Sequence, residues 1–202
     1  EAQYWLWSLD LDFGYYSKPP LLAWVIYAYT NIFGSSFVSL KLLPSIIYFF
    51  TAWSIFNISR NIGLPKKDAI SCSLVFLTIP AVSFSSFILS TDILLLLFWS
   101  LSLNELLNIK KNSEIKNFVL FGCFLGLAFL SKYAAIYFIL CLFIYILLDK
   151  NFGVFFKKNY LGFSLSFFCV LILILPNILW NSNNGWLTFQ HTSDNINLDG
   201  RK

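Results

Sequence analysis

Methionine is absent from all 202 residues, histidine occurs once, and Lys, Arg, Asp and Glu together make up only 12% of the chain. So few charges cannot solvate the surface of a soluble domain. With 58% hydrophobic residues and a mean hydropathy of +0.71, the chain falls among polytopic membrane proteins. Lacking methionine and opening on Glu1, it is expected to be a piece of a longer protein, cut at both ends. No signal peptide is visible. One histidine cannot build a histidine-rich metal centre. Cys72, Cys123, Cys141 and Cys169 each stand inside an apolar run with no second Cys or His at ligand spacing. They are expected to be small buried hydrophobes rather than redox or metal groups. The net charge is +4, but the basic residues are scattered between apolar runs and are not interleaved with exposed aromatics, so nucleic acid is excluded as a partner. There is no internal repeat and no low-complexity linker.

What is present begins with a polar and aromatic stretch from Glu1 to Pro20, EAQYWLWSLDLDFGYYSKPP. The apolar run 21–33 that follows is shorter than the roughly 20 residues a bilayer crossing needs, so it is expected to lie in the interface. Pro19 and Pro20 suit its start and Gly34 its end. Candidate spans follow near 37–58, 69–89, 93–109, 117–131, 133–148 and 160–180. The fold class expected is therefore an all-α, polytopic transmembrane helical bundle of six spans. Residues 1–36 form an outer loop, 37–180 the membrane core, and 181–202 the start of a further outer loop. The GCFLG run, Gly122 to Gly126, reads as a close helix-packing face.

Charge sets the orientation. Lys110, Lys111 and Lys116 precede the run 117–148, and Lys150, Lys157 and Lys158 follow it. Under the positive-inside rule both ends are cytoplasmic, so the run turns back on itself at Lys132. Arg60, Lys66 and Lys67 join the same side. Glu1, Asp10, Asp12, Lys18, Asp92, Lys132, Trp180, Trp186 and His191 then fall on the outer face, which in a bacterium is the periplasm or exterior.

Asp92 opens an apolar run at the outer boundary, in STDILLLLFW. It reads equally as a helix N-cap and as a functional acid, since ionisable groups at membrane depth are costly. Lys132 is the single charge at the turn of an apolar hairpin; it reads as a snorkelling lysine or as a cation for a lipid phosphate. Lys18, held beside two prolines, is a rigidly placed cation at headgroup level. Tyr4, Trp5, Trp7, Tyr15 and Tyr16 read as an interfacial aromatic belt. His191, Asp10 and Asp12 read as loop residues.

Four segments, EAQYWLWSLDLDFGYYSKPPLLAW, STDILLLL, GLAFLSKY and LPNILWNSNNGWLTFQH, together resemble the GT-C membrane glycosyltransferases of the protein O-mannosyltransferase and lipid A aminoarabinose transferase type. The resemblance implies transfer of a sugar, with inversion, from a polyprenyl-phosphate carrier to a glycan, lipid or protein acceptor on the outer face of a bacterial inner membrane. It implies a catalytic acidic pair whose second member matches Glu1, the Asp being the residue before it. A second important acid matches Asp92, and the lysines thought to bind the donor phosphate match Lys18 and Lys132. Tyr4, Tyr16 and His191 are possible donor or acceptor contacts. An arginine of the aminoarabinose transferases is replaced by Gln3, and their metal-ligating glutamate by Ser17. A divalent metal is accordingly not counted among the cofactors, and the aminoarabinose donor is not favoured.

Two other classes compete. A transporter or flippase would place its charges near the midplane of paired broken helices, whereas these charges gather at the outer boundary. A degenerate family member would bind lipid without turnover.

Overall fold

A computed structural model describes residues 1–196, whose regular elements are all helices, with no strand among the described residues. The opening stretch forms α1 (Ala2–Leu9), then an irregular loop, then α2 (Leu21–Phe33). Two prolines lead into α2, and Gly34 closes it with its amide on Thr30 O at 2.8 Å. At 13 residues, α2 extends about 20 Å at 1.5 Å per residue, short of a bilayer crossing. Its first turns do not lie on the surface. Leu22, Ala23 and Ile26 are buried, and Leu22 and Ile26 pack in one cluster with Leu43, Ile47 and Ile93.

The bundle proper is α3 (Phe37–Asn61), α4 (Lys66–Thr78), α5 (Pro80–Ser85), α6 (Thr91–Lys111), α7 (Ile115–Ser131), α8 (Ile136–Leu148), α9 (Lys150–Lys158) and α10 (Tyr160–Asn183), with α11 (Leu187–Ile196) after it. Neighbours run in the order α4, α3, α6, α7, α10. Among the described residues three helices are long and apolar enough to cross a membrane alone, α3, α6 and α10, and α8 with α9 reaches that apolar length only as a bent pair.

The other expected spans take different forms. The stretch 69–89 is divided between α4 and α5 at Pro80, which has no amide to continue the α4 ladder. The stretch 117–131 is a single apolar helix of 17 residues. Beyond Lys132 a single 3₁₀ turn (Tyr133–Ala135) leads into α8, which bends by 109° into α9. The expected reversal at Lys132 is present. Phe138 near the start of α8 lies beside Phe121 of α7 at 6.0 Å between ring centres, and Tyr145 near its end accepts a bond from Lys110 of α6 at 3.1 Å. Residues 197–202 of the expected last loop lie outside the described residues.

Gly122 and Gly126 let α7 and α10 touch. A Cβ at Gly122 would collide with the Ser166 backbone, and one at Gly126 would sit 2.8 Å from Leu173 Cδ1. Ser166 Oγ donates to Phe118 O across this seam at 2.7 Å.

The expectation that the cysteines are buried is fully met by none of the four. Cys72 and Cys141 are exposed, while Cys123 and Cys169 are half-buried. The outside of the bundle is itself apolar, with Phe49, Trp53, Phe167 and Leu175 all exposed, so an apolar neighbourhood in sequence does not distinguish the core from a lipid-facing surface.

Candidate functional site at the acid-bearing end

One end of the bundle gathers the start of α6, the end of α7, the start of α3 and the loop after α1. Asp92 lies in the first turn of α6, and Lys132 caps the C-terminus of α7. Helix ends of opposite polarity thereby each carry the charge they favour. The two charges meet, with Lys132 Nζ donating to Asp92 Oδ1 at 2.6 Å. The Asp92 carboxylate is thus spent on a lysine and not on capping amides. The pair is open to solvent, the Asp92 side chain being 54% exposed.

A second pair stands nearby. Glu1 receives Lys41 Nζ on Oε2 at 2.7 Å and on Oε1 at 2.9 Å, and its Oε1 also takes the Leu89 amide at 2.9 Å. Burial pushes the Glu1 carboxyl up, but the bonds from Lys41 and Leu89 and the lysine charge outweigh it and hold the group below its usual value of 4.5. Tyr4 is half-buried against the core; burial first, then the Asp92 charge, raise its hydroxyl above the usual value. That keeps Tyr4 a proton donor.

The remaining expected residues sit on the same end. Lys18 follows a tight turn closed by Tyr15 N donating to Lys18 O at 3.2 Å, with Pro19 and Pro20 buried behind it. Among the described residues no carboxylate lies within ion-pair distance of its ammonium. Tyr16 and His191 meet edge to face at 4.8 Å.

Asp12, expected as a loop residue, anchors that loop. Its Oδ2 accepts Trp180 Nε1 at 2.6 Å, and its carbonyl accepts Trp24 Nε1 at 3.0 Å. Gly14 lies flat against the Trp180 ring, where a Cβ would be 2.7 Å from Trp180 Cδ2. Asn177 Nδ2 donates to Phe13 O at 2.7 Å, Asn177 Oδ1 accepts Tyr133 OH at 2.8 Å, and Asn181 Nδ2 reaches that hydroxyl at 3.2 Å.

Sequence reasoning missed Lys41, Tyr133, Asn177 and Asn181. The signal for Lys41 was there: a charge inside the head of an apolar run costs energy without a partner. Asn177 and Asn181 lie one turn apart in an apolar helix, a spacing that puts two amides on one face.

No group of three or more His, Cys, Asp or Glu able to hold a metal occurs among the described residues. With serine at position 17, the donor set does not fit the metal of the aminoarabinose transferases.

A bundle of apolar helices, in which Asp92 pairs with Lys132 and Glu1 with Lys41 at one end, defines an integral membrane protein. The chain belongs to the dolichyl-phosphate-mannose-protein mannosyltransferase family, whose model matches residues 17–180. It is 32% identical over 195 residues to the lipid A galacturonosyltransferase RgtD of Rhizobium johnstonii, covering 96% of this chain and 40% of that protein. The chain therefore spans well under half the length of that relative. No solved structure matches it.

Proposed function

We propose that the full-length protein is an inverting glycosyltransferase that moves a sugar from a polyprenyl-phosphate carrier to an acceptor on the outer, periplasmic face of a bacterial inner membrane. The observation that carries this is the exposed contact of Asp92 with Lys132 at 2.6 Å, in a chain whose family transfers sugars from a phosphate-linked lipid.

A glycosyl phosphate already has a good leaving group. The site must therefore supply cations for the departing phosphate and a base for the acceptor hydroxyl. Lys132 and Lys18 take the phosphate oxygens. Asp92, freed as Lys132 turns to the phosphate, accepts the hydroxyl proton. The acceptor oxygen bonds to the anomeric carbon as the bond from that carbon to the phosphate oxygen breaks, and the electron pair leaves on the polyprenyl phosphate. One displacement inverts the centre. Tyr4, Tyr16 and His191 border the site as donor or acceptor contacts.

The carrier tail needs an apolar groove. Two cavities, of about 320 and 340 Å³, run along α7, α8 and α10 and share Phe129 and Ile174. The second opens at Tyr133, next to Lys132. α2 lines neither. The relative that acts on lipid A favours a glycolipid acceptor.

The test is transfer from a radiolabelled polyprenyl-phosphate sugar by the full-length protein in proteoliposomes. Asp92→Asn is expected to lower turnover roughly 10²- to 10⁴-fold with unchanged insertion. Lys18→Ala should raise KM for the donor more than for the acceptor. Full turnover in Asp92→Asn would overturn the reading.

A further inference from the structure

The segment between α5 and α6 has no regular structure, yet it carries Asp92 into the site. Backbone carbonyls in such a segment need partners, and α3 supplies two of them and also holds the side chain of Ser85, the last residue of α5. Lys41, Ser45 and Tyr48 stand at i, i+4 and i+7, one stripe of the helix. Lys41 Nζ donates to Phe87 O at 3.0 Å, Ser45 Oγ to Ser86 O at 2.9 Å, and Tyr48 OH shares a hydrogen with Ser85 Oγ at 2.7 Å. Glu1 completes the row from the other side by accepting the Leu89 amide at 2.9 Å while gripping Lys41. Leu89, Thr91 and Ile93 are buried, at 4%, 2% and 0% exposure, so a shift at residue 89 is passed to Asp92, three residues on.

We propose that Glu1 and Lys41 are positioning residues: together they pin the Phe87–Leu89 backbone and so hold Asp92 at Lys132, without touching the substrate. Both Glu1 oxygens are already engaged, three donors taking most of the roughly four acceptor sites of the carboxylate. Removing Lys41 leaves Glu1 with a single amide and strips Phe87 O of its donor. Removing the Glu1 charge leaves Lys41 unpaired in a pocket walled by Trp5, Phe37, Leu40 and Leu89. Either change loosens the segment, and small misplacements of a reacting group cost large factors in rate.

The kinetic part rests on the transferase reading; the structural part does not. Backbone hydrogen exchange over residues 86–91 is measured in the full-length protein in nanodiscs, beside kcat and KM. Glu1→Gln and Lys41→Ala are each expected to speed exchange there about tenfold, leave residues 122–126 unchanged, and lower kcat about tenfold with little change in donor KM. Lys41→Arg should restore both. Should those variants fail to insert, Ser45→Ala reads the same segment with a smaller rise of about threefold, the loss of one neutral bond. Unchanged exchange overturns the lock whatever the activity. Faster exchange with unaltered kcat overturns the positioning role. Wild-type protein without any transfer overturns the transferase reading, and exchange still decides the lock.

Discussion

The two ends of the bundle hold their cations in opposite ways. At the lysine-rich end the hydrogen-bond and ring partners of Lys110 and Lys111 are neutral, with Asp149 within electrostatic reach of Lys110. Lys111 Nζ donates to Asn61 Oδ1 at 2.9 Å, and Asn61 Nδ2 donates on to Asn104 and Asn108 at 2.8 and 2.9 Å, tying α3 to α6. Lys110 lies over the Tyr145 and Phe152 rings at 5.6 and 5.5 Å. Glu105, buried to 8% exposure, accepts from Asn108 Nδ2 at 3.2 Å. At the other end the partners are carboxylates, open to water. Exposed ion pairs contribute about 0–1 kcal/mol, whereas a buried amide left unpartnered costs about 1–3 kcal/mol. The lysine-rich end is thus built as a joint. The acid-bearing end holds, in Asp92 and Lys132, an exposed pair whose contact adds little stability.

The sharpest way to break this contrast is at Lys132. Lys132→Gln is expected to lower sugar transfer roughly 10²- to 10³-fold, the scale of losing one group that stabilises developing charge. Its denaturation midpoint in detergent should stay near that of the wild type. A large loss of stability would make the pair structural and erase the distinction between the ends. Next in size is the seam that both ends share. Gly122→Leu drives a side chain into the Ser166 backbone and should destabilise the fold by about 1–3 kcal/mol. Thermal unfolding in detergent checks this, and an unshifted midpoint would mean that α7 and α10 do not meet there.

How much of this was legible in the sequence follows from what kind of signal each feature leaves. Asp92, Lys132 and Lys18 stand out because a charge beside an apolar run is conspicuous, and the turn at Lys132 follows from the lysines at both ends of the run. Gly122 and Gly126 announce their seam by spacing alone. The break at Pro80 was also readable, since a proline cannot carry a helix ladder onward, but the apolar content of 69–89 concealed it. Burial of α2 and exposure of Cys72 and Cys141 were not readable, because lipid-facing and core-facing positions share one composition. The partnership of Glu1 with Lys41 links residues 40 positions apart. Only the fold brings them together.

A smaller effect separates the joint from the site without touching either lysine pair. Asn61→Ala removes the amide that bonds Asn104 and Asn108 and should cost about 1–2 kcal/mol of stability, while turnover per folded molecule stays at the wild-type value. Circular dichroism melts and an active-site titration supply the two numbers. A fall in turnover larger than the fall in folded protein would show that the lysine-rich end reaches the chemistry.

The smallest effect is that of acid. Burial raises the Glu1 carboxyl, but the bonds from Lys41 and the Leu89 amide lower it further, so the net shift is downward from 4.5. A group depressed in the folded state adds stability that is fully present above its unfolded value and is lost as pH falls through its folded one. From pH 7 down to about 5, close to but still above the ordinary glutamate value, neither end should loosen. Below the ordinary value, hydrogen exchange over residues 86–91 should quicken before exchange over 122–126 does, because the seam of Gly122 and Gly126 against Ser166 and Leu173 holds no carboxylate to protonate. Simultaneous loosening of the two segments would mean that Glu1 does not hold its loop, and that acid acts on the bundle as one unit.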